Sequence, residues 1–203
     1  MDNVPERQIR ARRTDRGLIV YQAYGDAIAD AALEAQTLVP PFSLSRMTWI
    51  KPSFLWMAGR SGWATKPGQE RVLSIEIGCD GLWWALEHAC LSHFDTVAHT
   101  TETAWRAALD AAPVRVQWDP ERTLRLEHQP FRSIQIGLRG EAVRRYVDDW
   151  ILSIIDVTEV HRSVGALVAG GRLTDAAAML PDELPIEPPH PIPAIRLEGK
   201  TSS

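Results

Sequence analysis

A chain of 203 residues with 45% hydrophobic and 24% charged content has the composition of an ordinary globular protein, long enough to bury one substantial core. Its formal charge of -4 and pI near 5.9 argue against a protein held on nucleic acid by bulk electrostatics. With Cys79 and Cys90 outside any CxxC pair, no apolar signal-peptide core in MDNVPERQIR and no run long enough to span a bilayer, a reduced cytoplasmic protein is expected.

The opening RQIRARRTDR sets Arg7, Arg10, Arg12, Arg13 and Arg16 against Glu6 and Asp15, a pattern more often a solvated edge than a binding strip. LIVYQAY, rich in β-branched and aromatic residues, predicts a strand that Gly25 and Asp26 break. Asp26 is suited to cap the helix DAIADAALEAQ, in which Ile28, Ala31, Ala32 and Ala35 form a thin face able to lie close to a sheet; Pro40 and Pro41 stop it from continuing. In MTWIKPSFLWMAGRSGWATKPGQ, Lys51 before Pro52 gives an extended segment, and Ser53 starts a short helix with Phe54, Leu55 and Trp56 inward. Gly59 and Gly62 then loosen the chain, and KPGQ turns it.

RVLSIEI alternates Leu73, Ile75 and Ile77 with Val72, Ser74 and Glu76, as a strand with one apolar face does. DGLWWALEHACLS reads as a helix starting at Asp80 or Gly81, and TTETAWRAALDAA as another capped by Thr100 or Thr101. VRVQWDPERTLRLE predicts two strands folded about Asp119 and Pro120, with Val114, Val116 and Trp118 on one side; RSIQIGL follows as a further strand. RGEAVRRYVDDWI carries Ala142, Val143, Tyr146, Val147, Trp150 and Ile151 on one helical stripe. Asp156 and Glu159 open a last helix that Gly170 and Gly171 end. The order predicts an α+β fold: residues 1–180 as a single domain with a mixed or split, mostly antiparallel sheet and flanking helices. Residues 181–203, with six prolines between Pro181 and Pro193, read as an extended or disordered tail whose Ile192, Ile195 and Leu197 can pack along the domain.

EGKTSS is not a phosphate loop, because Ala194 stands where that pattern needs glycine. His88, Cys90, His93 and His99 include no pair four apart on a helix and have no second ligand cluster, so no metal is expected. GRSG around Ser61 lacks the strand-to-helix elbow of a nucleophilic serine. Within MTWIKPSFLWMAGRSGWATKPGQ, Trp49, Trp56 and Trp63 fit ordinary core and rim positions. Together with Lys51, Ser53, Arg60 and Lys66 they equally fit the wall of a cleft for a flat anionic ligand, in which aromatic faces stack on a base and cations meet phosphate.

YQAY, MTWIKPSFLWMAGRSGWATKPGQERVL, CLSHFD, VRVQWDPER and RSIQIGL, in this order, closely resemble domain-of-unknown-function family 4291 over roughly residues 6 to 168. That family name supplies no activity. A looser resemblance is to ADP-ribosyltransferase-type domains. VYQAYGDAIADAALEAQTLVPP is similar to their opening strand, helix and turn, MTWIKPSF to the strand and hydroxyl residue before the next helix, RVLSIEI to the following strand, and WDPERTL with RSIQIGL to their late acidic motif.

This second resemblance implies an ADP-ribosyltransferase-like fold and an enzyme using NAD as co-substrate, which cleaves the nicotinamide glycosidic bond and passes ADP-ribose to a protein, nucleic-acid or small-molecule acceptor. On it, Gln22 falls where many members grip the nicotinamide ribose with histidine or arginine, and Ser53, or else Thr48, falls near the position supporting that ribose. Tyr21 or Trp56 would stack on the nicotinamide, Trp49 and Lys51 would complete the wall, and arginines, Arg60 among them, would bind the pyrophosphate. Glu121 would be the catalytic carboxylate, with Asp119 and Glu127 as alternatives; read from its residues alone, DPER is equally a solvated hairpin turn. A noncatalytic RNA- or nucleotide-binding module using the same aromatic wall and the arginine-rich start is the rival from another class, and an enzyme of unrelated chemistry in the same cleft is a third.

Overall fold

The computed structural model describes residues 4–197. In chain order its elements are β1 (Arg10–Ala11), β2 (Gly17–Tyr24), α1 (Asp26–Ala35), β3 (Thr48–Ile50), α2 (Phe54–Ser61), β4 (Arg71–Gly78), α3 (Cys79–Glu87), β5 (Ala89–Leu91) and α4 (Glu102–Ala111). There follow β6 (Val114–Arg122), β7 (His128–Leu138), α5 (Glu141–Arg145) running into a π turn (Tyr146–Trp150), β8 (Ile151–Asp156), α6 (Thr158–Ala169), α7 (Leu173–Ala178), β9 (Leu184–Pro185) and a 3₁₀ turn (Pro193–Ile195). The fold is α+β.

Two sheets carry it. One is antiparallel in the order β2-β4-β8, and the other runs β3-β7-β6-β5 with only β5 parallel to its neighbour. Among the described residues they meet at the Tyr21–Lys51 bridge, where the Tyr21 amide donates to the Lys51 carbonyl at 2.7 Å. Leu73, Ile75 and Ile77 on the central strand β4 are fully buried, as their alternation predicts, and face a core shared with Val114, Val116, Ile134 and Ile136 of the second sheet. On the other side of β2 and β4, a smaller cluster gathers Ile19, Tyr21, Phe54, Met57, Val72 and Val164. That cluster seats α2 and α6. Among the described residues, no helix is long and apolar enough to cross a membrane.

Several elements depart from their sequence patterns for identifiable reasons. In α1 the cap is Gly25 and Asp26 is the first helical residue, paired with Arg71 at 3.2 Å; the buried face turns to Ala29 and Ala32. In α2 the inward residues are Phe54, Met57, Ala58 and Ser61, leaving Leu55 and Trp56 half-buried. The helix through DGLWW ends at Glu87, and Ala89–Leu91 peels away to pair with β6.

The expected turn at Asp119 and Pro120 is strand instead. A bulge between Pro120 and Arg122 accommodates the proline, which has no N–H to give the ladder. The chain reverses later, where the Thr123 amide donates to the Glu127 carbonyl at 2.9 Å and Leu126 takes φ 61°. The RGEAVRRYVDDWI stripe is buried through Trp150, but Ile151 opens β8.

The proline-rich segment runs as a strap along the domain. Leu184–Pro185 pairs with β1, the Ile186 amide donates to the Ile9 carbonyl at 2.8 Å, and the Trp118 indole N–H donates to the Ile195 carbonyl at 2.8 Å. Ile186, Ile192 and Ile195 are buried, and Leu197 is partly buried.

Candidate functional site

The junction of the two sheets opens into a cleft of about 760 Å³, within the range of roughly 300–1,000 Å³ common for small-molecule and cofactor sites. Strand β2 gives it Gln22 and Tyr24, β3 gives Thr48 and Trp49, and α2 gives Trp56, Met57 and Arg60, with Lys51 between β3 and α2. From β6 and β7 come Gln117, Asp119, Pro120, Arg122, His128 and Gln135.

Gln22 is held at both ends of its amide. Its Nε2 donates to Thr48 Oγ1 at 2.7 Å and to the Trp49 carbonyl at 3.2 Å, and its Oε1 accepts from the Tyr146 hydroxyl at 2.8 Å. Burial keeps the Tyr146 phenol well above its ordinary range, so it remains a donor. Trp49 lies flat on the sheet because Gly137 stands opposite it in β7; a Cβ there would sit 2.9 Å from the indole.

Lys51 is 6% exposed, with its ammonium 4.9 Å from the centre of the Trp56 ring and 3.4 Å from the Trp49 carbonyl. No carboxylate among the described residues pairs with it. Burial, reinforced by the Arg60 charge and opposed by Asp119, brings it from 10.5 to about 7. The Arg60 guanidinium likewise has no hydrogen bond or ion pair with the described residues, whereas Arg122 Nη1 donates to the Leu126 carbonyl at 3.1 Å. Asp119 is the one carboxylate among the described cleft residues, and the side-chain amides of Gln117, at 2.8 Å, and Gln135 hold its oxygens. The cleft is therefore cationic, aromatic and amide-lined, suited to an anionic ligand with flat groups.

Ser53 and Glu121 lie one layer behind it. Ser53 caps α2 by accepting from the Trp56 amide at 3.0 Å while its hydroxyl donates to Glu121 Oε1 at 2.9 Å. The same oxygen accepts from the Arg122 amide at 2.8 Å, and Glu121 is buried rather than lying in a solvated turn. Burial pushes its carboxyl up, against the hydrogen bonds from Arg122, Ser53 and Ser133, which pull it down.

The strap adds a second carboxylate at this point: Glu183 Oε1 accepts from the Phe54 amide at 2.7 Å. Burial raises Glu183 to about 8, with the charge of Glu121 adding to the effect.

The other residues singled out from the sequence sit elsewhere. Tyr21 points to the opposite side of β2 from Gln22 and packs its ring against Phe54 and His161, at centroid distances of 5.8 and 6.2 Å. Lys66 donates to the carbonyls of Gly59 and Arg60 at the end of α2, and Glu127 is exposed in the turn before β7. Of the arginine-rich start, Arg16 pairs with Glu76 and Arg10 donates to Gln8, and none of its arginines lines the cleft. Gln117 and Gln135, opposite each other in β6 and β7, were signalled by polar positions inside apolar runs; Tyr146 and Glu183 had no such signal. Among the described residues, no group of three or more His, Cys, Asp or Glu side chains is placed to hold a metal ion.

These features define an α+β protein with a ligand-sized cleft at the junction of two sheets. The chain belongs to the family described as Domain of unknown function (DUF4291), whose profile matches residues 8–186. No curated protein matches the chain.

Proposed function

We propose that the cleft binds NAD and that the chain is an ADP-ribosyltransferase-type enzyme, passing ADP-ribose to an acceptor. The observation that carries this reading is the pairing of a cationic, tryptophan-walled cleft with a buried carboxylate behind it, Glu121, bound by the serine that caps α2. Trp49 and Trp56 supply stacking faces, and Arg60 and Arg122 supply charge for a pyrophosphate. Gln22, braced by Thr48, Trp49 and Tyr146, offers the remaining lone pair of its carbonyl oxygen to a ribose hydroxyl. Tyr21 has its place in the smaller core cluster, so the stacking role falls to the tryptophans. Loss of nicotinamide builds positive charge on the ribose, and the Glu121 carboxylate, one layer behind the cleft wall, stabilises that charge across the low-dielectric site.

Isothermal titration with NAD, ADP-ribose and a short single-stranded RNA tests the reading. Saturable NAD binding is expected, with little response to salt and a loss of about tenfold in Trp56→Ala, in keeping with stacking contributions of about 1–3 kcal/mol. Glu121→Gln should bind NAD nearly as well while releasing nicotinamide at least about a hundredfold more slowly. Absence of NAD binding, with tight RNA binding that collapses as salt rises, would replace the enzyme with a recognition module.

A further inference from the structure

Lysine is scarce in this chain: of 22 basic residues only Lys51, Lys66 and Lys200 are lysines. Lys66 is exposed and bonds the end of α2, and Lys200 lies outside the described residues. Among the described residues Lys51 is the lysine set into the cleft, 6% exposed, with no carboxylate paired to it and with Arg60 as a second cation in the same space. As a structural ion it would be a desolvated, unpaired charge, an expensive arrangement that proteins avoid by neutralising the group. A desolvated lysine beside another cation is instead the arrangement that frees an amine for nucleophilic attack.

We propose that Lys51 is a nucleophilic amine and that the cleft captures the aldehyde of a phosphate-bearing sugar as an imine on its Nζ. The neutral fraction needed is present near neutrality, because burial and the charge of Arg60 bring the ammonium down to about 7. The amine lone pair attacks the carbonyl carbon and forms the C–N bond as the C=O π pair moves to oxygen. A proton passes from nitrogen to that oxygen, giving a carbinolamine. The hydroxyl then leaves with a further proton as water, and the C=N bond forms. The net change is amine plus aldehyde to imine plus water, with nothing oxidised or reduced. Asp119, the sole carboxylate of the described cleft lining, is the base that carries these protons, and Arg60 and Arg122 hold the phosphate.

The inference deepens the NAD reading, on which it rests for the choice of nucleotide. The open form of ADP-ribose presents an aldehyde at the carbon from which nicotinamide departs. A three-carbon aldehyde phosphate tests the amine without the nucleotide.

The full chain is incubated at pH 7 with cyanoborohydride and either ADP-ribose or glyceraldehyde 3-phosphate, and its digest is analysed by mass spectrometry. Reduced adduct is expected on the Lys51 peptide about tenfold faster than on the Lys66 peptide, which serves as the internal control. The rate should rise as pH passes through about 7; the titratable and charged groups sharing the cleft with Lys51 are Tyr24, Arg60, Asp119, Arg122 and His128. Lys51→Arg should abolish that label. In the unaltered chain, inorganic pyrophosphate should protect Lys51 and leave Lys66 labelled, which tests the site even where the variant fails to fold. Labelling of Lys51 by the three-carbon probe but not by ADP-ribose keeps the amine and removes the nucleotide reading. Lys51 reacting no faster than Lys66 with both probes overturns the proposal.

Discussion

Lys51 is the residue at which stability and function pull in opposite directions. Its titration falls from 10.5 to about 7 because burial, then the nearby Arg60, disfavours the ammonium. Between those two values the unfolded chain holds the proton that the folded chain has released, so stability rises with pH across that window. Below about 7 the lysine is protonated in both states and its burial cost is fully present. An upper bound for that cost is roughly 5 kcal/mol, at about 1.4 kcal/mol for each tenfold loss of proton affinity. Lys51→Met, similar in length and able to pack on Trp56, is therefore expected to be more stable than the natural chain at pH 6, with the difference shrinking toward pH 10. Urea denaturation of both chains across that range measures it, and a difference independent of pH would show that Lys51 is not the group responsible.

At the scale of elements, α2 shows what periodicity can and cannot reveal. Its cap at Ser53 follows from a hydroxyl before an apolar run, and the split between Phe54 and Trp56 follows from a helix having one inward face. The end of α2 is set from a distance. Gly62, Trp63 and Ala64 take φ of 61°, 58° and 61°, and non-glycine residues there cost roughly 1–2 kcal/mol each. What holds them is Trp63 seated against Gly165 of α6, where a Cβ would come within 2.7 Å of the indole, together with the burial of Ala64. Trp63 is thus a peg between two helices and takes no part in the cleft lining. Gly165→Ala should cost about 1–3 kcal/mol in thermal or urea unfolding through overpacking and leave ligand affinity unchanged. A selective loss of affinity would instead tie Trp63 to the cleft.

The same contrast between local and distant causes decides which other elements were legible. LIVYQAY and RVLSIEI declare their strands by composition and alternation, whereas β5 exists through its pairing with β6, and Asp119–Pro120 remains strand because a bulge absorbs the proline. In the candidate site, Gln22, Trp49, Lys51, Trp56 and Arg60 share the cleft, while Ser53 and Glu121 meet across a sequence separation of 68. No local pattern records a contact of that separation.

For the whole molecule, the strap from residue 181 to 197 joins packing to the site. Its Ile186, Ile192 and Ile195 are 4%, 7% and 0% exposed, and Trp118 donates to the Ile195 carbonyl from β6, the strand that carries Glu121. At about 1.5–3 kcal/mol for each isoleucine, their removal from water is worth roughly 5–9 kcal/mol as an upper bound. That compares with about 5–15 kcal/mol for the total stability of a typical domain. Cutting the chain after residue 180 would also expose the edge of β1 and leave the Phe54 amide without the Glu183 carboxylate. The shortened chain is therefore expected to lose cooperative unfolding or to unfold at a much lower urea midpoint, monitored by tryptophan fluorescence and near-ultraviolet circular dichroism. Ile195→Ala, a milder change, should cost about 2–5 kcal/mol while retaining a folded protein. A truncated chain with an unchanged midpoint would mean that the first 180 residues hold their core without the strap, and Glu183 would then be a surface tether.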